Sequence, residues 1–184
     1  MAIMGYAKSG DCHFESDSHL GVIIISGVSG SGKSTVGRAL ATALDWHFFD
    51  GDAFHPTANV DKMAKGFPLD DADRVPWLDR LHDLIAQSLA EERPAVLACS
   101  ALKQAYRDRL LAGNARTGLV YLRGDYELIW ERMRDRHDHY MGAEMLRGQF
   151  DDLEEPTVAL TVDIEDDVEG IVGAIIEAYD LDRG

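Results

Sequence analysis

Positive charge is scarce in this chain: 18 lysines and arginines face 33 aspartates and glutamates, a formal net charge of -15 over 184 residues. That balance argues against nucleic acid as a partner, because phosphate backbones are held by an excess of Lys and Arg. Cysteine is nearly absent. Cys12 and Cys99 stand in unlike contexts, which offers no disulfide framework and makes a reducing cytoplasm the expected compartment. Apolar runs are all shorter than the roughly 20 residues that span a bilayer, so no membrane partner is expected. Residues 1–20 lack the basic-then-apolar order of a secretory signal. They mix Gly5, Lys8, Asp11, His13, Glu15, Ser16 and Asp17 without periodicity, and are expected to form a loose extension before a single domain over residues 21–184. Internal repeats and low-complexity tracts are missing too.

What is present fits one globular domain with a real core: 46% hydrophobic and 28% charged residues over a length of ordinary domain size. The negative charge is uneven. From Glu144 onward, 13 acidic residues face only Arg147 and Arg183, a local charge of -11, which leaves -4 for the first 143 residues. The acidic stretch reads as a solvated face, and basic clusters in the nearly balanced part can still focus on an anionic ligand.

Short apolar runs alternate with helical patterns, the signature of an α/β fold with a mainly parallel sheet. Val22, Ile23, Ile24, Ile25 and Ser26 form a β-branched run suited to a sheet covered on both faces. Val36, Ala39, Leu40, Ala43 and Leu44 then repeat at helical spacing, predicting a helix from Lys33 to about Leu44. Further strands are expected at 47–50, 95–99, 119–122 and 159–163. Helices are expected along the face Trp77, Leu78, Leu81, Leu84, Ile85 and Leu89, and at 106–111, 126–133 and 168–179. Residues 51–76 show no regular pattern and are rich in Asp, Lys, Arg, His and Asn, as binding loops are.

Between the first strand and the first helix, residues 27–34 read GVSGSGKS and match GxxxxGK[ST] at every fixed position. Glycines let backbone N–H groups turn inward around phosphates, the lysine supplies a cation to the β and γ phosphates, and the hydroxyl can ligate Mg²⁺. Gly27, Val28, Ser29, Gly30, Ser31, Gly32, Lys33, Ser34 and Thr35 are therefore the candidate ATP cradle, with Lys33 catalytic and Ser34 a Mg²⁺ ligand. The helix N-terminus adds partial positive charge.

Asp50 and Asp52 stand two apart at the end of the second strand. In extended backbone, i and i+2 face the same way. One carboxylate would hold a Mg²⁺-bound water and the other accept a hydroxyl proton, as phosphoryl transfer to an alcohol requires. Asp50 is assigned to the metal and Asp52 to the proton, with the exchange of these roles left open alongside a simple Asp-Gly-Asp turn.

The chain resembles the gluconokinases, compact P-loop kinases related in plan to shikimate and nucleoside monophosphate kinases. The resemblance rests on GVSGSGKS at 27–34, DGDAFHP at 50–56, Asn59, Lys62 and Met63, PLDD at 68–71 with Asp73 and Arg74, Pro76, Trp77 and Leu78, CSALK at 99–103, Tyr106, Arg107 and Asp108, Gly124 and Asp125, and Gln149 and Phe150 with LEEP at 153–156. It implies an ATP-dependent transfer to the 6-hydroxyl of D-gluconate, a homodimer, and a three-layer P-loop NTPase fold. That fold carries a five-stranded parallel sheet, helices on both faces, and lid and substrate-binding segments.

A sugar acid needs a fixed cation for its carboxylate and many hydrogen-bonding groups for its hydroxyls. Arg74 is the candidate for the carboxylate, since a planar guanidinium grips it at two points. His55, Asn59 and Lys62 are further substrate candidates in the same segment, His55 serving equally as a turn residue before Pro56. Ser100 and Lys103 follow the third strand, where open α/β sheets bind ligands. Lys103 and Arg107 lie four apart on the expected helix and share a face that Arg109 does not, pointing either to the acceptor or to surface ion pairs with Asp108 and neighbouring acids. Arg132 and Arg136 also share a face, whereas Arg134 lies about 200° round the axis from Arg132. By the resemblance, Arg132 is expected near adenine and Arg136 at the transferring phosphate as a catalytic lid residue. His137 and His139 have no companion ligands at zinc spacing. Another small-molecule kinase, acting on shikimate or a nucleotide, is the alternative, and a nucleotide switch is disfavoured by the lack of an Asn-Lys-x-Asp motif.

Overall fold

The computed structural model describes residues 19–134 and 143–184. Five strands form one parallel sheet: β1 (Val22–Ser26), β2 (His47–Asp50), β3 (Ala95–Ala98), β4 (Thr117–Arg123) and β5 (Leu160–Asp163), in the order β2-β3-β1-β4-β5. In register, Ile24 faces Leu97 on one side and Leu119 on the other. The fold is the three-layer arrangement expected.

The layers follow from strand periodicity. Ile23 and Ile25 join one core with α1 (Lys33–Leu44) and α7 (Val168–Ala178), through Val36, Leu40, Ile171 and Ile175. Val22 and Ile24 join the other with α3 (Asp71–Ala90) and α4 (Gln104–Leu111), through Trp77, Leu78, Leu81 and Leu110. Alternate side chains thus feed opposite cores, and every residue of β1 is buried, as a central strand covered on both faces requires.

Two expectations about elements are corrected. Residues 51–76 are not one irregular loop: a 3-10 turn (Gly51–Phe54) leads into α2 (Thr57–Ala64), and α3 begins at Asp71. Helix α2 carries no apolar stripe, and its Val60 and Met63 are exposed, so periodicity cannot reveal it. Helix α3 starts a turn and a half before Trp77 because Asp70 and Asp73 form a reciprocal capping box, and Pro76 is absorbed inside the helix. The other correction is α6 (Ala143–Asp152), which follows α5 (Tyr126–Arg134); only Leu146 of α6 is fully buried, too little for a periodic signal. Strand β3 ends one residue before the expected Cys99, and β4 extends beyond 119–122 at both ends.

Of the expected extension, His19 and Leu20 are described, and Leu20 packs on the core beside α1 and α7. Cys12 lies outside the described residues. Cys99 is buried, and burial pushes its thiol up to about 12. Among the described residues, no helix is long and apolar enough to cross a membrane.

Candidate active site

The glycine-rich loop leaves β1 at Gly27 and enters α1 at Lys33. Gly27 has φ 141°, and a Cβ there would stand 2.9 Å from the Leu122 carbonyl oxygen. Gly32 has φ 95° with open space around it, so its requirement is conformational. Gly27 N–H donates to the Ser100 carbonyl at 3.3 Å, which ties the phosphate loop to the segment after β3.

Lys33 is half-buried and its Nζ donates to the Val28 carbonyl at 2.8 Å, folding the side chain across the loop. Desolvation holds its ammonium below the ordinary lysine range, against the opposing pull of Asp52, Cys99 and Asp50. Thr35 is exposed on the first turn of α1. Ser34 Oγ donates to Asp50 Oδ2 at 3.1 Å. A hydroxyl and a carboxylate so placed fit a Mg²⁺ ion that takes its remaining ligands from phosphates and water.

Asp50 ends β2, and its Oδ1 accepts the Asp52 N–H at 3.2 Å. The two acids are therefore brought together by a 3-10 turn rather than by strand alternation, which corrects the geometry expected for them. The turn is fixed from α3, where Trp77 Nε1 donates to the Gly51 carbonyl at 2.7 Å. His55 stacks on the same indole, with ring centroids 4.4 Å apart and planes 13° from parallel. Burial lowers the His55 imidazole below its ordinary value; Asp52 opposes this and Arg74 reinforces it.

Arg74, Lys103, Asp70, Asp71, Ala72, Leu69 and Asp152 line a cleft of about 480 Å³. Arg74 donates to Tyr106 OH at 3.1 Å, and Lys103 Nζ lies 2.8 Å from Asp71 Oδ1 and 3.7 Å from Asp152. Tyr106 and Asp71 complete the cluster; both lie in motifs that carry the resemblance, but neither is assigned a role from the sequence, because α3 and α4 meet only in the fold. Burial and its bond to Asp71 raise the Tyr106 phenol. Bonds from Lys103 and Tyr106 hold the Asp71 carboxyl below its usual range, and Asp71 in turn raises Lys103.

Other expected site residues are directed elsewhere. Lys103 is the extended N-cap of α4, outside the helix it was expected to share with Arg107. Arg107 is only 2% exposed and donates to the Ala101 and Leu102 carbonyls and to Gln104. It buttresses a loop in which Ala101 holds φ 41°, and faces the protein interior rather than the cleft. Asn59 is buried and donates to the Asp73 carbonyl at 2.8 Å, stapling α2 to α3. Lys62 bonds the Asp73 carboxylate and is raised by it. Arg132 donates to the Ile164 carbonyl at 2.7 Å beyond β5. Arg136, His137 and His139 lie outside the described residues.

Gln149 of α6 is a contact that sequence reasoning did not single out by role. Its Oε1 accepts the Ser29 N–H at 2.7 Å and its Nε2 donates to Ser29 Oγ at 3.2 Å. Just beyond the helix, Glu154 accepts the Gln104 N–H at 2.6 Å. The α6 arm therefore touches both the phosphate loop and the start of α4.

A phosphate loop between the central strand and its helix, together with an acid-bearing turn and a separate polar cleft, defines a P-loop kinase of small molecules. The AAA domain family matches residues 22–156. The probable gluconokinase of Mus musculus is 42% identical over 178 residues, covering 86% of this chain and 97% of its own. The thermoresistant gluconokinase of Escherichia coli (strain K12) is 43% identical over 160 residues, covering 85% and 91%. The crystal structure of a gluconokinase from Sinorhizobium meliloti 1021 superposes with a TM-score of 0.79 at 38% identity, over 89% of this chain and 94% of that one. The chain belongs to the gluconokinase family.

Proposed function

We propose that this enzyme transfers the γ-phosphate of ATP to the 6-hydroxyl of D-gluconate, giving 6-phosphogluconate and ADP. The observation that carries the acceptor is the cleft where Arg74, Lys103 and Tyr106 converge, a set of donors matched to one carboxylate. The family membership supports the same acceptor.

In this reading, Arg74 and Lys103 hold the acid end of the sugar, which directs the far hydroxyl toward the turn carrying Asp50 and Asp52. Asp52 accepts the 6-hydroxyl proton as that oxygen bonds to the γ-phosphorus, and the bond from phosphorus to the bridging oxygen breaks with ADP as leaving group. Lys33 moves off the Val28 carbonyl to the phosphates, where its charge offsets the charge gathering on the bridging oxygen. Ser34 and, through water, Asp50 would hold Mg²⁺, which neutralises the triphosphate. His55 and Ser100 border the acceptor, while Asn59 and Lys62 shape its wall through Asp73. Arg107 serves through the loop it supports. By the resemblance, Arg132 is assigned to the adenine, for which it would leave the Ile164 carbonyl, and Arg136, outside the described residues, to the transferring phosphate. The enzyme works as a cytoplasmic homodimer preceded by an N-terminal extension.

Coupled ADP release measured with D-gluconate, shikimate, nucleoside monophosphates and no acceptor tests the assignment. Release is expected with gluconate alone; release that ignores the acceptor would contradict it.

A further inference from the structure

Asp71 places its carboxylate at the focus of the acceptor cleft. Its Oδ1 lies 2.8 Å from Lys103 Nζ, 2.5 Å from Tyr106 OH and 3.8 Å from Arg74 Nη1. Two donors, Tyr106 on α4 and Lys103 at its N-cap, thus converge on one carboxylate oxygen, with the Arg74 guanidinium of α3 at ion-pair distance, although the Asp71 side chain is 65% exposed. Its neighbours have other tasks. Asp70 and Asp73 cap α3 on each other's backbone, and Asp73 also holds Lys62. Asp71 takes no part in that box; an acid in the first turn suits the helix dipole, but that does not by itself seat the side chain on Lys103 and Tyr106.

A free carboxylate would match the same two donors and the guanidinium equally well. Two carboxylates cannot share the position, because like charges at that distance repel. We propose that Asp71 is an internal stand-in for the carboxylate of the acceptor: it fills the carboxylate subsite of the resting enzyme, and a carboxylate-bearing acceptor displaces it toward solvent to reach Lys103, Tyr106 and Arg74. This inference rests on the sugar-acid reading above.

The device sharpens selection. An acid exchanges one carboxylate for another and leaves both cations paired. A neutral polyol brings no anion, leaves Asp71 seated and meets a narrower cleft. Selectivity then comes from an internal competitor as well as from the attraction of the cations. The exchange is cheap because Asp71 already stands largely in water and returns to it without new burial.

The test is calorimetric titration of D-gluconate and of D-glucitol, its neutral counterpart, into the nucleotide-free wild type, Asp71→Asn and Asp71→Ala. Removing the competitor should lower the Kd for gluconate about threefold or more, the scale of one exposed ion pair, with a smaller change for glucitol. Two variants guard against a defect peculiar to one of them, and thermal melts show whether each is folded. A gluconate Kd that is unchanged or raised in the folded variants overturns the inference and shows Asp71 to be a fixed part of the site. A wild type that binds and phosphorylates no gluconate contradicts the proposed function instead.

Discussion

At the scale of single residues, the chemistry rests on groups whose surroundings set their state. Asp52 is exposed at the turn and attracts the Lys33 ammonium, which desolvation depresses. Asp52→Asn keeps the size of the side chain but cannot take a proton, so kcat should fall by about 10²–10⁴ with little change in the KM for ATP, measured by steady-state ADP release. A defect confined to ATP affinity would contradict the role. Residue types at the donor site were legible because phosphate geometry dictates them in order: Gly27, Gly32, Lys33 and Ser34 have few substitutes. Acceptor residues were less legible, since their direction depends on partners far along the chain. Arg107 is a cation four residues from Lys103, yet it turns inward to the Ala101 and Leu102 carbonyls. Asp71 reads in the sequence as one acid among several, and only contact with Tyr106, 35 residues away, gives it a distinct place.

At the scale of elements, helices with an apolar stripe were legible and those without one were not. Helices α1 and α7 each bury several residues against the sheet, whereas α2 buries only Asn59 and α6 only Leu146. The poorly anchored elements are those that border the site. Helix α6 is held to the phosphate loop through Gln149 and to the α4 start through the Glu154 that follows it. Gln149→Ala should therefore loosen α6 selectively, at a cost of about 1 kcal/mol for the lost hydrogen bonding. Amide hydrogen exchange should quicken across 143–152 while α3 remains as protected as in the wild type. Equal protection of α6 in both proteins would show that the Gln149 bonds to Ser29 are not what holds it.

At the scale of the whole molecule, charge and topology act together. The sheet order places β1 at the centre with the loops after β1, β2 and β3 at one end, where strand carboxyl ends gather ligands; the alternating pattern points to the parallel sheet but not to its strand order. The acidic composition gives a defined response to pH. His55 is held below its ordinary value, so the stability it contributes is full above about pH 6.5 and declines as pH falls toward its folded value. Asp71 and Asp73 are also held low, so their contribution is full above about pH 3.9 and is lost as pH falls through their folded values. Thermal melts should show Tm falling in two stages on acidification, the first absent from His55→Gln; a single fall shared by both proteins would remove His55 from the account. The central claim is that the molecule joins a triphosphate cradle to a cleft that reads a carboxylate. Comparing kcat/KM for D-gluconate and D-glucitol, which differ only at the end the cations are assigned to hold, tests it most directly. A preference for gluconate of about 100-fold or more is expected, since the neutral analogue offers the cations no charge and meets a cleft that Asp71 still fills, and equal values for the two would contradict the claim.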